Sequence, residues 1–174
     1  MVSQKIQHKK IDSRIILVVG RKKRGKTSLV EKLIPEFKKR GYKVGSIKYT
    51  TVDHQFDTPG KDSFRHTKAG AETTLILSPQ RIALFSSDLK RKDPEGLFEF
   101  FFSEYDLIIG EGFRSSPYPK VEVLDSTQDT EPLCTREGNL VALVCDKNID
   151  SPVPLFSTNE VELLADYLEK QVLK

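Results

Sequence analysis

Five apolar residues in succession, Ile15-Ile16-Leu17-Val18-Val19, are followed by Leu29, Val30, Leu33, Ile34 and Phe37 at helical spacing. The first run predicts a strand buried on both faces. The second predicts the inward stripe of a helix from about Gly25 to Arg40. Pro35 removes one backbone hydrogen bond from that helix. Lys38, Lys39 and Arg40 suit the negative end of its dipole, and Gly41 is placed to end it. Strand pattern resumes at once, from Lys43 to Tyr49. A strand, a helix and a strand joined by short connections predict a βαβ unit with parallel strands.

Past a long polar stretch from Thr50 to Ser63, Asp62 or Ser63 is placed to cap a short helix through Lys68, which Gly70 stops. Thr73 to Leu77 and Arg81 to Phe85, separated by Ser78-Pro79-Gln80, predict a hairpin. Asp93-Pro94-Glu95 opens another helix, with Leu97, Phe98, Phe101 and Phe102 predicted to face a core. Tyr105 to Phe113 is an apolar strand that ends in an acid. Lys120 to Leu124 and Leu140 to Cys145 predict two further strands, separated by a polar, turn-rich segment from Asp125 to Asn139. Ser157-Thr158-Asn159-Glu160 predicts a capping box before a closing helix that turns Val161, Leu164, Ala165 and Leu168 inward.

The turn between the first strand and its helix carries the chemistry. Gly20-Arg21-Lys22-Lys23-Arg24-Gly25-Lys26-Thr27 fits G-x-x-x-x-G-K-[ST], and a β-branched strand before it with an amphipathic helix after it is the context that gives this spacing meaning. Backbone N–H groups at a helix N-terminus supply donors to a polyphosphate with little side-chain bulk in the way. Gly20 and Gly25 permit the backbone conformations, Lys26 reaches the β- and γ-phosphates, and the Thr27 hydroxyl ligates Mg²⁺. Ser28 completes the cradle. The predicted fold class is α/β: a three-layer P-loop NTPase fold with a mostly parallel central sheet and a β-hairpin extension.

Arg21, Lys22, Lys23 and Arg24 are expected to point outward, because four cationic side chains cannot share the cradle with phosphates. From there they steer anions toward it. The strand from Tyr105 offers two acids for positioning Mg²⁺. Parallel strands put their carboxyl ends on the ligand side; at ~3.3 Å per residue Asp106 lies roughly 16 Å from Glu111, at the wrong end. Glu111 is therefore assigned with Lys26 to the γ-phosphate and with Thr27 to the metal, and Gly112 lets the backbone pass close by. In the polar stretch after the second strand, Asp53 and Asp57 are candidate metal ligands and Lys61 a candidate phosphate contact. Asp146-Lys147-Asn148 follows a strand where many such folds read the base, but it is not N-K-x-D, so guanine cannot be read from it.

The net charge of the 174 residues is only +3. The basic character is local: Lys5 to Lys10 with Arg14, the phosphate loop, and Lys90-Arg91-Lys92. Clusters of this kind beside a phosphate loop favour a nucleotide over a nucleic-acid polymer. Residues 1–13 read as a flexible basic leader with no apolar signal segment, and 14–174 as a single nucleotide-binding domain. No apolar run approaches the length of a membrane span. Cys134 and Cys145 form no C-x-x-C pattern, and with His8, His54 and His66 they make no recognisable zinc site. A reducing, cytoplasmic setting is expected.

Val18-Val19-Gly20 through Gly25-Lys26-Thr27-Ser28-Leu29, Pro59-Gly60-Lys61-Asp62-Ser63 with Arg65-His66 and Ala69-Gly70-Ala71, Gly110-Glu111-Gly112-Phe113-Arg114 and the closing Val161 to Tyr167 together resemble the molybdopterin-guanine dinucleotide biosynthesis adaptor family (MobB). The likeness covers nearly all of the chain after Ser13. It implies a homodimeric GTP-binding protein with weak GTPase activity and Mg²⁺ as cofactor. It also implies a partner guanylyltransferase of the molybdenum cofactor, which joins GMP to molybdopterin. In the family the loop after the second strand is commonly histidine-rich, whereas Tyr49, Thr51 and Val52 stand at those positions here. The runner-up reading is an ATP-dependent small-molecule kinase or ligase on the same scaffold, and nucleic-acid binding through the basic clusters is a third.

Overall fold

A computed structural model describes residues 14–52, 54–87, 94–125, 127–129, 131–134 and 139–173. Asp53, the basic leader, the Asp93 cap and Lys90-Arg91-Lys92 lie outside the described residues. Contacts group the chain into two compact units, one made of the residues up to Thr50 with those from Phe102 onward, the other Thr51–Phe101.

The larger unit is built on a six-stranded sheet. Its strands are β1 (Ile15–Val19), β2 (Val44–Lys48), β5 (Leu107–Glu111), β6 (Lys120–Val123), β7 (Leu140–Val144) and β8 (Leu155–Phe156), in the order β2-β5-β1-β6-β7-β8. Every pairing among them is parallel. β1 is central and all five of its residues are buried, as an unbroken apolar run requires when both faces are covered. The two-residue β8 carries no pattern long enough to read from the sequence.

Alternation along the strands builds the core. Ile16 and Val18, with Leu107, Ile109, Val121, Val123, Ala142 and Val144, join Leu29, Leu33 and Phe37 of helix α1 (Lys26–Lys39) and Leu164, Ala165 and Leu168 of helix α4 (Val161–Gln171). α1 runs through Pro35 and ends in a Schellman motif: Tyr42 N–H donates to Phe37 O at 3.1 Å and Gly41 N–H to Lys38 O at 3.0 Å, with Gly41 at φ 92°. The Phe37 and Tyr42 rings meet edge to face at 5.6 Å, the apolar contact that accompanies such an ending. Arg40 fastens α1 to α4 by donating to Asp166 at 2.6 Å and Glu169 at 2.9 Å, while Glu36 on its own helix accepts at 2.8 Å. The capping box is half formed. Glu160 accepts the Ser157 amide at 2.7 Å, but α4 starts one residue past Glu160 and no side chain caps it.

The second unit contains helix α2 (Asp62–Lys68) and the antiparallel hairpin β3 (Thr73–Leu77) and β4 (Ile82–Ser86). α2 does not use Asp62 or Ser63 as its cap. Lys61 occupies that position without a side-chain bond, and Asp62 is the first helical residue. Leu75, Leu77, Ile82 and Leu84 of the hairpin are exposed. Helix α3 (Pro94–Phe102) buries Phe98 completely, but Phe101, expected to face a core, is 45% exposed. Phe98 and Phe102, four residues apart, carry the inward stripe, and Phe101 lies on its flank.

Two glycines make the sheet possible on the side opposite α1 and α4. A Cβ on Gly45 would collide with the Phe102 ring, and one on Gly110 would stand 2.5 Å from a Leu17 methyl that is itself fully buried. Overpacking at such a position costs typically about 1–3 kcal/mol. Gly110→Ala is accordingly expected to lower the unfolding free energy by that amount, seen as a lower urea midpoint, and an unchanged midpoint would mean that β5 has room on that face.

Candidate functional site

The register of the central strands decides which side chains meet. β1 pairs with β5 so that Val18 lies opposite Glu111, and β2 pairs with β5 so that Lys48 also lies opposite Glu111. All three stand at the carboxyl ends of their strands, where open α/β sheets bind ligands. Asp106 sits before β5 at the other end, and its carboxylate accepts the Lys43 amide at 2.8 Å.

From Val19 the chain turns through Gly20 to Gly25 into α1. Gly20 has φ 138° and lies so close to β6 that a Cβ would collide with the Val123 carbonyl; Gly25, at φ 85°, is the N-cap of α1. Both positions exclude a side chain, one by contact and the other by conformation. The first bond of the helix runs from Leu29 N–H to Gly25 O at 2.9 Å. The amides of Gly25, Lys26, Thr27 and Ser28 therefore have no carbonyl partner inside the helix, and they form its positive end.

The side chains around this turn are tied to one another. Lys26 folds back and its Nζ donates to Arg21 O at 2.7 Å. Thr27 Oγ1 donates to Glu111 Oε2 at 2.9 Å, and Lys48 Nζ stands 3.1 Å from Glu111 Oε1. Burial pushes the Lys26 ammonium below its ordinary pKa; Glu111 opposes that shift, while Lys48 and Arg24 reinforce it. An oxyanion brought to Lys26 would restore the balance. Gly112 follows Glu111 and donates to Val18 O at 3.0 Å.

Two of the four loop cations do not point outward. Arg24 grips Asp129 through two bonds, Nε to Oδ2 at 3.0 Å and Nη2 to Oδ1 at 3.2 Å, and Arg21 Nη1 lies 3.5 Å from the same carboxylate. Arg21 also donates to Glu131 O at 3.0 Å. The Asp129 side chain is only 1% exposed. Burial pushes its carboxyl up, but the hydrogen bonds from Arg24 and from the Asp125 amide outweigh that and hold it below the ordinary aspartate value. Lys22 and Lys23 are exposed as expected. The expectation failed for the arginines because an acid more than a hundred residues away in sequence lies against the loop.

Of the candidates in the second unit, Asp57 accepts from the Thr58 amide at 2.8 Å and Ser63 Oγ at 2.9 Å through Oδ1, and its Oδ2 is buried with no partner among the described residues. Lys61 is exposed beside α2. The residues that sequence reasoning missed are Lys48, which closes a strand where its position was the available signal, and Asp129, which had none. For a divalent ion, the hard oxygens of Thr27 and Glu111 fit Mg²⁺, which takes few protein ligands and keeps several waters. The described residues contain no cluster of three or more carboxylates, histidines or cysteines that would make a dedicated metal cage.

A family model for molybdopterin guanine dinucleotide synthesis protein B matches residues 15–146, from the first residue of β1 to two residues past β7. The chain belongs to this family. The molybdopterin-guanine dinucleotide biosynthesis adapter protein of Escherichia coli (strain K12) is 34% identical over 154 residues, which is 86% of this chain and 88% of the relative. That of Haemophilus influenzae (strain ATCC 51907 / DSM 11121 / KW20 / Rd) is 31% identical over 153 residues, 87% of this chain and 85% of the relative. The crystal structure of Bacillus subtilis MobB matches with a TM-score of 0.74 at 28% identity, covering 91% of this chain and 98% of that one. Among the described residues of this MobB-family chain no helix is long and apolar enough to cross a membrane.

Glu111 and Asp106 stand at opposite ends of one strand, so their substitution separates a ligand-side role from a structural one. Glu111→Gln is expected to raise the Mg²⁺ concentration needed for triphosphate binding on the order of tenfold, the usual scale for a group that orients metal ligands. Asp106→Asn should leave that requirement alone. The opposite ranking in a magnesium titration would place the ligand at the other end of the sheet.

Proposed function

We propose that this MobB-family chain is a GTP-binding adaptor in molybdopterin guanine dinucleotide biosynthesis. In this reading it assists the guanylyltransferase that attaches GMP to molybdopterin and hydrolyses GTP only slowly. The observation that carries the nucleotide reading is the 2.9 Å contact between Thr27 Oγ1 and Glu111 Oε2, next to a helix turn whose amides have no carbonyl partner within the helix. A hydroxyl, a carboxylate, a lysine and free amides in that order answer the needs of a Mg²⁺-triphosphate and of little else.

In this reading each group has a task. The amides of Gly25 to Ser28 receive the β-phosphate oxygens, and Lys26 leaves the Arg21 carbonyl for the β- and γ-phosphates. Thr27 and Glu111 would hold Mg²⁺, which when bound offsets charge on the β- and γ-oxygens. Lys48 pairs with the Glu111 carboxylate at 3.1 Å and adds positive charge on the side where the γ-phosphate comes to lie. Lys22 and Lys23 steer the nucleotide inward. Self-association into a homodimer has a candidate surface in the exposed Leu75, Leu77, Ile82 and Leu84 of the hairpin.

Calorimetric titration with GTP and ATP in Mg²⁺ tests the reading. GTP is expected to bind, and Lys26→Ala to remove detectable binding while circular dichroism stays unchanged, because the Lys26 side chain bonds its own loop and not the core. Unchanged GTP affinity in Lys26→Ala would refute the site. A clear preference for ATP, with phosphate transferred to a small metabolite at tens of turnovers per second, would instead favour a kinase or ligase.

A further inference from the structure

The loop between Arg21 and Arg24 is held at both ends by one carboxylate. Arg24 takes Asp129 in a bidentate fork and Arg21 approaches the same group. Asp129 is itself fixed: the Asp125 amide donates to its Oδ2 at 3.0 Å, and Asp125 accepts from the Thr127 amide and hydroxyl. The far end of the segment is anchored independently. Glu122, fully buried on β6, accepts the amides of Leu133 at 2.7 Å and Cys134 at 3.0 Å. A second observation lies inside the span so clamped. Lys23 has φ 61°, a left-handed conformation that a lysine adopts at a cost and that persists only where the surroundings impose it.

We infer that Asp129 is a positioning residue for the phosphate loop: by gripping Arg21 and Arg24 it holds Lys23 in its left-handed conformation and sets the loop in its receptor shape before a ligand arrives. The Arg21 carbonyl, carried by a clamped residue, is where Lys26 rests. The clamp therefore fixes the starting place of the lysine as well as the path of the amides. The role belongs to the fork geometry rather than to charge alone, since lysine in place of Arg24 could make only one of the two bonds. For its effect on affinity this inference rests on the nucleotide reading above; the shape of the loop can be measured without it.

Hydrogen exchange at residues 21–26 and calorimetry with GTP-Mg²⁺ test it on full-length protein carrying Asp129→Asn, Arg24→Lys or both. Each single variant is expected to speed exchange in the loop but not in β1, and to weaken GTP about tenfold through lost pre-organisation. The double variant should be no worse than either single one by more than about twofold, because both break one device. Adding Lys23→Asn to Asp129→Asn should recover about threefold or more, since asparagine accepts the left-handed region readily. Were Asp129→Asn to unfold, Arg24→Lys with and without Lys23→Asn gives the same comparison. Unchanged exchange in the loop, additive losses, or tighter GTP binding from liberated arginines would each overturn the inference. If the unaltered protein binds no GTP, the nucleotide reading falls, and the exchange data and the Lys23→Asn rescue of loop protection alone decide on the clamp.

Discussion

The register that sets Val18 of β1 opposite Glu111 of β5 is the constraint on which the rest of this structure depends. Strand side chains alternate with a period of two, so a slip of one residue would turn Glu111 to the other face and carry it away from Thr27. The same slip would turn Ile109 and Leu107, which pack on α1 in the apolar core, away from that helix. Burial of ordinary aliphatic side chains thus fixes a polar contact at 2.9 Å. Gly110 takes part in this from the opposite face, where the buried Leu17 leaves no space for a side chain.

Charges around the loop are already spoken for, but not equally firmly. Lys26 rests on a neutral carbonyl, a bond that a phosphate oxygen readily replaces because it adds charge to the same geometry. Arg24 holds an almost fully buried carboxylate with two bonds, and drawing it away would strip that carboxylate of both, leaving it only the Asp125 amide and the more distant Arg21 among the described residues. The lysine is therefore the mobile element and the arginine the fixed one. Burial, which pushes the Lys26 pKa down, and Glu111, which opposes it, meet at the atom that would exchange partners in the proposed nucleotide site.

Elements whose cause is local were legible in the sequence. The apolar run of β1, the spacing of α1, the Gly41 ending and the Ser78-Pro79-Gln80 hairpin each follow from residues within a few positions of one another. That Glu111 and not Asp106 stands at the end of β5 beside Thr27 needed one further step, the polarity of a parallel strand. What could not be read depended on partners distant in sequence. Asp129 meets Arg24 across 105 positions of the chain, so the arginines looked like solvated charges. Lys48 became part of the site only once β2 and β5 were in register. β8 owes its existence to the edge of β7 and has no pattern of its own, while Phe101 belonged to an aromatic stripe too wide for the face it serves.

The most direct measurement of the central claim is the response of individual backbone amides to a nonhydrolysable GTP analogue with Mg²⁺, followed by ¹H–¹⁵N NMR. The account predicts that the largest saturable shifts fall on Gly25, Lys26, Thr27 and Ser28, together with Glu111 and Gly112 at the end of β5. Saturable binding that leaves the amides of Gly25 to Ser28 unmoved while shifting residues elsewhere would contradict it.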